Sequence, residues 1–380
     1  MAPPIAIIGG GPSGLTLARL LECKGIEYVV YERTEADFSH QGGSLDLHTE
    51  TGQRALKEAN LFDEFKKHAR YVDERFRILD QHGKEWVSAG EGRDAPEIDR
   101  SALRQILVDS IPNHRVVWNH TLRSVTIEGG GKPILHFTNG STYSGFKLVI
   151  GADGAWSKVR PSVTQVVPRY SGRHIVEFGI SPESPGYALI ANKAGQGSST
   201  WFGPYKYVVA QRQGDLSYRL YLAFTVAEDF ARNIAEKLSD TEATRRLFLS
   251  SDFFGDWTDE VKDFIQHAQN FRNWPLYYLP IDAMGWKGVP GLTLIGDAAH
   301  PALPNGEGVN IAMEDSIVLA SKLDTRGLDD LEAAVREYEE DMFSRATKHI
   351  SSGLRMAEFM FHEDSPAAFI QAVKDGKLGD

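Results

Sequence analysis

Three short clusters in this chain combine glycines with acidic side chains at spacings that suit a long, phosphate-bearing ligand. The first is Gly9, Gly11 and Gly14 in the order G-x-G-x-x-G, with Ser13 inside it and Glu32 following at the end of a second apolar run. The first glycine permits a tight turn, the second lets a pyrophosphate approach the backbone, and the third allows close helix–strand packing. Glu32 can accept both hydroxyls of a ribose. The second cluster is Gly151-Ala152-Asp153-Gly154, with Ser157 and Arg160 behind it. The third is Gly296-Asp297-Ala298-Ala299-His300, then Pro304, Gly306, Gly308 and Asn310. An Asp just past a strand can accept hydroxyl hydrogen bonds, and its glycine neighbours admit close backbone contact. A helix start near 308–310 would stabilise negative charge on a reduced ring.

The elements needed to position these clusters are legible around them. Ile5–Ile8 is a short β-branched run suited to a buried parallel strand. Leu15, Leu17, Ala18, Leu20 and Leu21 follow in a helical pattern, and Tyr28–Tyr31 reads as a second strand. The helix N-terminus offers amides to a phosphate. Leu148–Ile150 and Leu292–Ile295 read as further buried parallel strands, so each Asp falls where ligands of doubly wound sheets bind. Between them, 49–69 reads as a helix, 74–88 as a hairpin turning at Gln81-His82-Gly83, and a helix carrying Leu103, Ile106, Leu107 and Val108 is capped by Asp99 or Ser101. Strands are predicted at Arg115–Trp118, Ser124–Glu128 and Ile134–Thr138. Tyr205–Gln211 and Ser217–Thr225 suggest a separate antiparallel sheet. Residues 240–270, the stretch from about Gly308, and 328–361 read as helical.

Composition narrows the class of protein. With 380 residues the chain can form two domains or one elaborated one. Hydrophobic residues at 42% and charged residues at 24% argue against wholesale disorder. A net charge of −11 and the lack of a basic stripe argue against nucleic acid as a partner. The single cysteine, Cys23, reads as a small core thiol compatible with a reducing compartment, and no Cys/His cluster has zinc spacing. The first strand begins by residue 5, leaving no room for a signal peptide. No apolar run of about 18 residues suggests a membrane span. The expectation is a cytoplasmic protein, a monomer, acting on a small molecule.

The three clusters together resemble the motifs of class A flavin-dependent monooxygenases, the para-hydroxybenzoate hydroxylase-like fold. The stretch Gly42-Gly43-Ser44-Leu45-Asp46-Leu47-His48, then Thr51-Gly52-Gln53, is similar to one branch, the tetracycline-inactivating flavin monooxygenases. The resemblance implies an α/β fold: a Rossmann-like FAD-binding domain from 1–72, 99–168 and 276–327, an inserted antiparallel-sheet substrate domain from 73–98 and 169–275, and a C-terminal helical segment over 328–380. It implies that FAD is the cofactor, with NADPH and O2 as co-substrates, and that oxygen transfer runs through a flavin C4a-hydroperoxide to an aromatic or polycyclic enolic substrate. In the FAD site it implies Gly9, Gly11, Ser13 and Gly14 at the phosphates, Glu32 on the adenosine ribose, and contacts from Arg33, Asp46 and Arg104. Asp153 and Gly154 would lie near the pyrophosphate and Asp297 on the ribityl chain. Pro304 and the amides of Gly308, Val309 and Asn310 would flank the isoalloxazine. No obligatory catalytic side chain is implied, because the flavin carries the hard chemistry.

Departures from that family concern the substrate side. Asn305 stands where an aromatic can contact flavin or substrate, and Glu307 where Gln is frequent. Ser39-His40-Gln41 occupies the place of an arginine proposed to help nicotinamide reduction, making His40 a candidate nicotinamide contact. Arg219 and Tyr221 stand where tetracycline-inactivating relatives carry a His and a small residue, and Glu177 or Val176 replaces a polar amide. Alternation places Arg219, Tyr221 and Ala223 on one face of their strand, where Arg219 could pair an acidic or enolate substrate. His174 and His300 are candidate proton donors. Trp201, Phe202, Tyr205 and Tyr207 are candidates for an aromatic pocket, and a helix with Met356, Phe359, Met360 and Phe361 for a cover. The alternatives are a flavin-holding protein that sequesters its ligand without turnover, and another flavin oxidoreductase of this fold. A halogenase would carry Trp-x-Trp-x-Ile-Pro, which Asn273-Trp274-Pro275-Leu276 does not match.

Overall fold

The computed structural model describes residues 3–37, 43–71, 76–89, 95–129, 132–235 and 237–378. The chain opens as read, with β1 (Ile5–Ile8), α1 (Pro12–Cys23) and β2 (Tyr28–Tyr31). All four residues of both strands are buried, as strands covered on both faces require. A short β3 (Ser44–Asp46) leads to α2 (Gly52–Glu58) and α3 (Phe62–His68). The single helix expected over 49–69 is therefore two. Asn60 takes a left-handed conformation (φ 57°) that interrupts it. The hairpin is β4 (Phe76–Asp80) and β5 (Glu85–Ala89). β6 (Glu97–Asp99) pairs antiparallel with β3 and runs into α4 (Arg100–Asp109). Asp99 occupies the N-cap position without capping. Its carboxylate takes Arg70 Nη1 (2.8 Å) and Ser44 Oγ (3.2 Å) instead.

β7 (Val116–Val117), β8 (Leu122–Glu128), β9 (Lys132–Phe137), β10 (Thr142–Tyr143) and β11 (Leu148–Gly151) complete the first half. Next come β12 (Arg169–Ile180), α5 (Tyr187–Ala194), β13 (Ser198–Gly203), β14 (Lys206–Arg212) and β15 (Tyr218–Thr225). Tyr205 stands at the β13–β14 turn with φ 60°, one residue outside the strand expected from it. α6 (Phe230–Ile234), α7 (Thr241–Phe248) and α8 (Asp259–His267) give way to β16 (Gln269–Tyr278), which pairs with β12. β17 (Leu292–Leu294), α9 (Gly308–Arg326), α10 (Leu331–Met360) and α11 (Ala367–Lys374) close the chain.

One sheet has the parallel order β17-β11-β1-β2-β7, which sets the carboxyl ends of β1, β11 and β17 side by side. A second sheet has seven strands in the order β16-β12-β15-β14-β13-β4-β5 and is antiparallel except where β13 meets β4. Each sheet has its own apolar core: the first is buried with α1, α4, α9 and α10, the second with α5, α7 and α8. A smaller cluster, with Ile78, Tyr207 and Ala223 from the second sheet and Leu303, Ala357 and Phe361 from outside it, joins the two. No helix among the described residues is long and apolar enough to cross a membrane.

Candidate functional site

The site begins where β1 turns into α1. Gly9 has φ 112°, and a Cβ there would lie 2.3 Å from the Ala152 carbonyl oxygen. A Cβ on Gly14 would lie 2.1 Å from the Gly9 oxygen. No other residue fits either place. Gly11, by contrast, has open space where a Cβ would stand, and α1 starts there without a side-chain cap. This is a cradle facing outward, with backbone amides at a helix N-terminus. Glu32 is buried at its edge. One carboxylate oxygen accepts from Gly10 N (2.6 Å), and the other accepts from Thr34 N (3.0 Å) and lies 3.4 Å from Arg104 Nη2. Arg104 Nε donates to the Gly10 carbonyl (2.6 Å). Glu32 and Arg104 thus hold the glycine loop in shape as well as lining it. Arg33 is exposed beside them. Ser13 Oγ donates to the Ala312 carbonyl (3.0 Å), and Ser316 Oγ donates to the Ser13 carbonyl (2.9 Å), docking α1 onto α9.

The second and third clusters meet across the sheet. Asp153 Oδ2 accepts from Lys158 N (2.6 Å), while its Oδ1 is buried with no hydrogen-bond partner. Burial pushes that carboxyl above its ordinary range. Arg160, 3% exposed, reaches over to the third cluster. Its Nε donates to Ala298 O (2.8 Å), Nη2 to Asp297 O (2.8 Å) and Nη1 to Ala155 O (2.7 Å). The Asp297 backbone is pinned this way while its residue remains exposed. Behind it, Asp315 accepts from Gly296 N (2.8 Å) and pairs with His300 Nε2 (2.6 Å) and Arg345 Nη1 (2.7 Å). Burial opposes protonation of His300, but Asp315 outweighs it and the pKa is raised.

Residues 43–52 close one end of the crevice that the three clusters border. Asn310 is buried. Its Oδ1 accepts from His48 N (2.9 Å) and Gly52 N (3.3 Å), and its Nδ2 donates to Asp46 O (2.9 Å). Asp46 is thereby held beside Gly306, whose Cβ position lies 4.0 Å from Asp46 Oδ2. Pro304 is exposed, and Gly308 and Val309 are half-buried at an α9 start with no side-chain cap. An uncapped helix start, an orphaned carboxylate oxygen and an open glycine cradle fit a dinucleotide laid from β2 to α9.

The second sheet turns one face toward this crevice. Tyr218, Leu220 and Leu222 point into that sheet's own core, so Arg219, Tyr221 and Ala223 point the other way. A Cβ on Gly43 would lie 3.3 Å from the Tyr221 hydroxyl, which brings β15 against the segment holding Asp46. Arg219 is ion-paired with Glu177, whose other oxygen accepts from Trp274 Nε1 (3.0 Å). Burial, then the Glu177 charge, lifts the Tyr221 phenol to about 12.

Several expectations need correction. Cys23 is exposed at the end of α1 rather than a core thiol. Trp201 is fully buried in the second sheet's own core, and Tyr205 is half exposed at a turn. Phe202, Tyr207 and Phe361 pack into the cluster that joins the two sheets. His174 is buried among Phe224 and Phe230 and paired with Asn273, away from the crevice. His300 is buried behind the third cluster, paired with Asp315. His40 lies outside the described residues. Asp315 and Arg345 carry no motif signal in the sequence, and Glu307 only a departure from the family's frequent Gln. They stand at positions of an ordinary amphipathic helix or turn, and only their partners mark them.

A family model described as an FAD binding domain matches residues 3–334. The chain is 30% identical to the monooxygenase asqM of Emericella nidulans, over 90% of this chain and 92% of that protein. It is 29% identical to the 3-amino-4-hydroxybenzoate 2-monooxygenase of Streptomyces cremeus, over 95% and 89%. Its fold superposes on the tetracycline destructase Tet(55) with a TM-score of 0.78 at 20% identity, over 99% and 95%.

Proposed function

The chain belongs to the FAD-binding-domain family of class A flavin monooxygenases, and from that premise we propose that it is an NADPH-consuming hydroxylase of an electron-rich aromatic or enolic small molecule. The observation that supports this most is the meeting of two surfaces. The sheet face with Glu177, Arg219 and Tyr221 lies against the segment holding Asp46, the Tyr221 hydroxyl standing 3.3 Å from the Cβ position of Gly43. On this reading the parallel-sheet segments 1–72, 99–168 and 276–327 hold FAD, the segments 73–98 and 169–275 shape the substrate, and 328–380 braces both in a monomer.

Gly9, Gly11, Ser13 and Gly14 would receive the phosphates through the α1 amides, with Glu32, Arg33 and Arg104 around the adenosine. Asp153 and Gly154 would border the pyrophosphate. Asp297 would accept from the ribityl hydroxyls, and Pro304, Gly308, Val309 and Asn310 would edge the ring. Bound FAD supplies hydride acceptance from NADPH and activation of O2. The overall balance is substrate C–H plus O2, NADPH and a proton giving substrate C–OH, NADP+ and water. Arg219 would orient an ionised phenol or enol oxygen and favour that electron-rich form. Tyr221, held neutral, would donate a hydrogen bond. The apolar neighbours Ile175, Val209, Ala223 and Leu276 would exclude water from the other end. With one G-x-G-x-x-G occupied by FAD, NADPH would bind transiently, near Arg33 and His40.

The test is to purify the protein, record its flavin spectrum, and screen phenols, anthraquinones and tetracyclines for stimulated NADPH oxidation with a product heavier by one oxygen. A yellow protein with tight ligand binding but no stimulated oxidation would favour a sequestering role and overturn the hydroxylase reading.

A further inference from the structure

Two backbone segments border the ring end of the crevice: 43–48, and the turn before α9. Asn310 ties them from behind. A second tie lies in front of it. His48 Nε2 stands 3.3 Å from Asp46 Oδ2, and His48 Nδ1 stands 3.2 Å from Glu307 Oε2. Each ring nitrogen therefore faces a carboxylate. A neutral imidazole has one N–H and can serve only one of them, whereas an imidazolium serves both. All three side chains keep about a third of their surface exposed, so the bridge stands at the crevice rim rather than in the core.

We propose that His48 is a positioning residue for the flavin ring: bridging Asp46 and Glu307, it sets the width of the crevice and keeps one positive charge at its rim. This rests on the reading of the crevice as the FAD site. Without His48, Asp46 and Glu307 would set two uncompensated carboxylates where a reduced, anionic ring must be accommodated. With it, the rim carries one net negative charge instead of two. The hydrogen bonds to Asp46 and then Glu307 raise the imidazole pKa to about 10, so the bridge persists through the neutral range. Glu307 supplies half of the bridge, which a Gln at that position could not do as an anion.

The experiment measures FAD dissociation constants by fluorescence titration for the wild type, His48→Gln, Glu307→Gln and the double variant. It adds the His48 titration by NMR in the apoproteins, the flavin midpoint potential, and apoprotein melting. His48→Gln should bind FAD about tenfold more weakly and shift the potential negative. Glu307→Gln should cost less affinity and lower the imidazole midpoint by at least about one unit. The double variant should bind FAD no more weakly than His48→Gln alone, because the two side chains act as one bridge. His48→Gln should melt lower than wild type at neutral pH, where the charged bridge is lost, yet stay folded at the titration temperature because Asn310 still ties the segments. Additive losses, an unchanged potential, or affinity lost only in step with melting would overturn the proposal. Should His48→Gln fail to fold, Glu307→Gln decides alone: an unchanged imidazole midpoint with unchanged FAD affinity overturns it. Failure of the wild type to bind FAD overturns the site reading instead, while the apoprotein titration still tests the bridge.

Discussion

Arg160 is the most exacting test of how the proposed FAD site is built. Its guanidinium donates to three carbonyls, those of Ala155, Asp297 and Ala298, at 2.7–2.8 Å. Burial lowers its pKa to about 10, which leaves it charged at neutral pH. Lysine at this position keeps the charge but not the fork, so one ammonium can reach at most one carbonyl in good geometry. Two charge-assisted hydrogen bonds are lost, at about 1.5–3 kcal/mol each. Arg160→Lys should therefore destabilise the apoprotein by about 3–6 kcal/mol, a large share of the roughly 5–15 kcal/mol typical of a folded domain. The same loss frees the Asp297 backbone, so FAD affinity should fall as well. Urea denaturation followed by circular dichroism reads the first effect, and fluorescence titration with FAD reads the second. A variant within about 0.5 kcal/mol of wild type and with unchanged FAD affinity would refute the reasoning, since surface-like substitutions stay in that range.

Three further outcomes are expected. Asp297→Ala should weaken FAD binding more than Asp153→Ala, by about tenfold or more, because Asp153 already serves Lys158 N while Asp297 is exposed. Equal or reversed losses in parallel titrations would refute the assignment. Arg219→Ala should raise KM for an acidic or enolic substrate by about 1.5–3 kcal/mol while FAD content holds. Steady-state kinetics with unchanged KM and kcat would remove Arg219 from the substrate site. The His48 pKa is raised on folding from its ordinary 6.5 to about 10. Its stabilisation is thus complete below about 6.5 and is lost as pH rises through about 10. Denaturation midpoints should fall more steeply over that range in wild type than in His48→Gln, and parallel profiles would contradict it.

Local signals were enough for the parallel-sheet half of the molecule. β1, β2 and the start of α9 fall where the apolar runs and glycines place them. Buried parallel strands and glycine turns are written in contiguous residues, and Gly9 and Gly14 meet their obstacles within the same motif or the next. Periodicity also carried the face of β15, since alternation forces Arg219 and Tyr221 to the side opposite Leu220. What alternation could not supply was the sign, because either face could have met the core; packing of Leu220 against the second sheet's helices decided it. The break at Asn60 depends on a left-handed residue within an otherwise helical pattern, which composition alone does not reveal. The pairs that hold the site together were beyond the sequence. Arg160 with Asp297, Asn310 with Asp46, His48 with Glu307 and Asp315 with Arg345 come from different elements. A charged side chain has the same local signature whether it meets water or a carboxylate, so its role is set by the tertiary fold that delivers the partner.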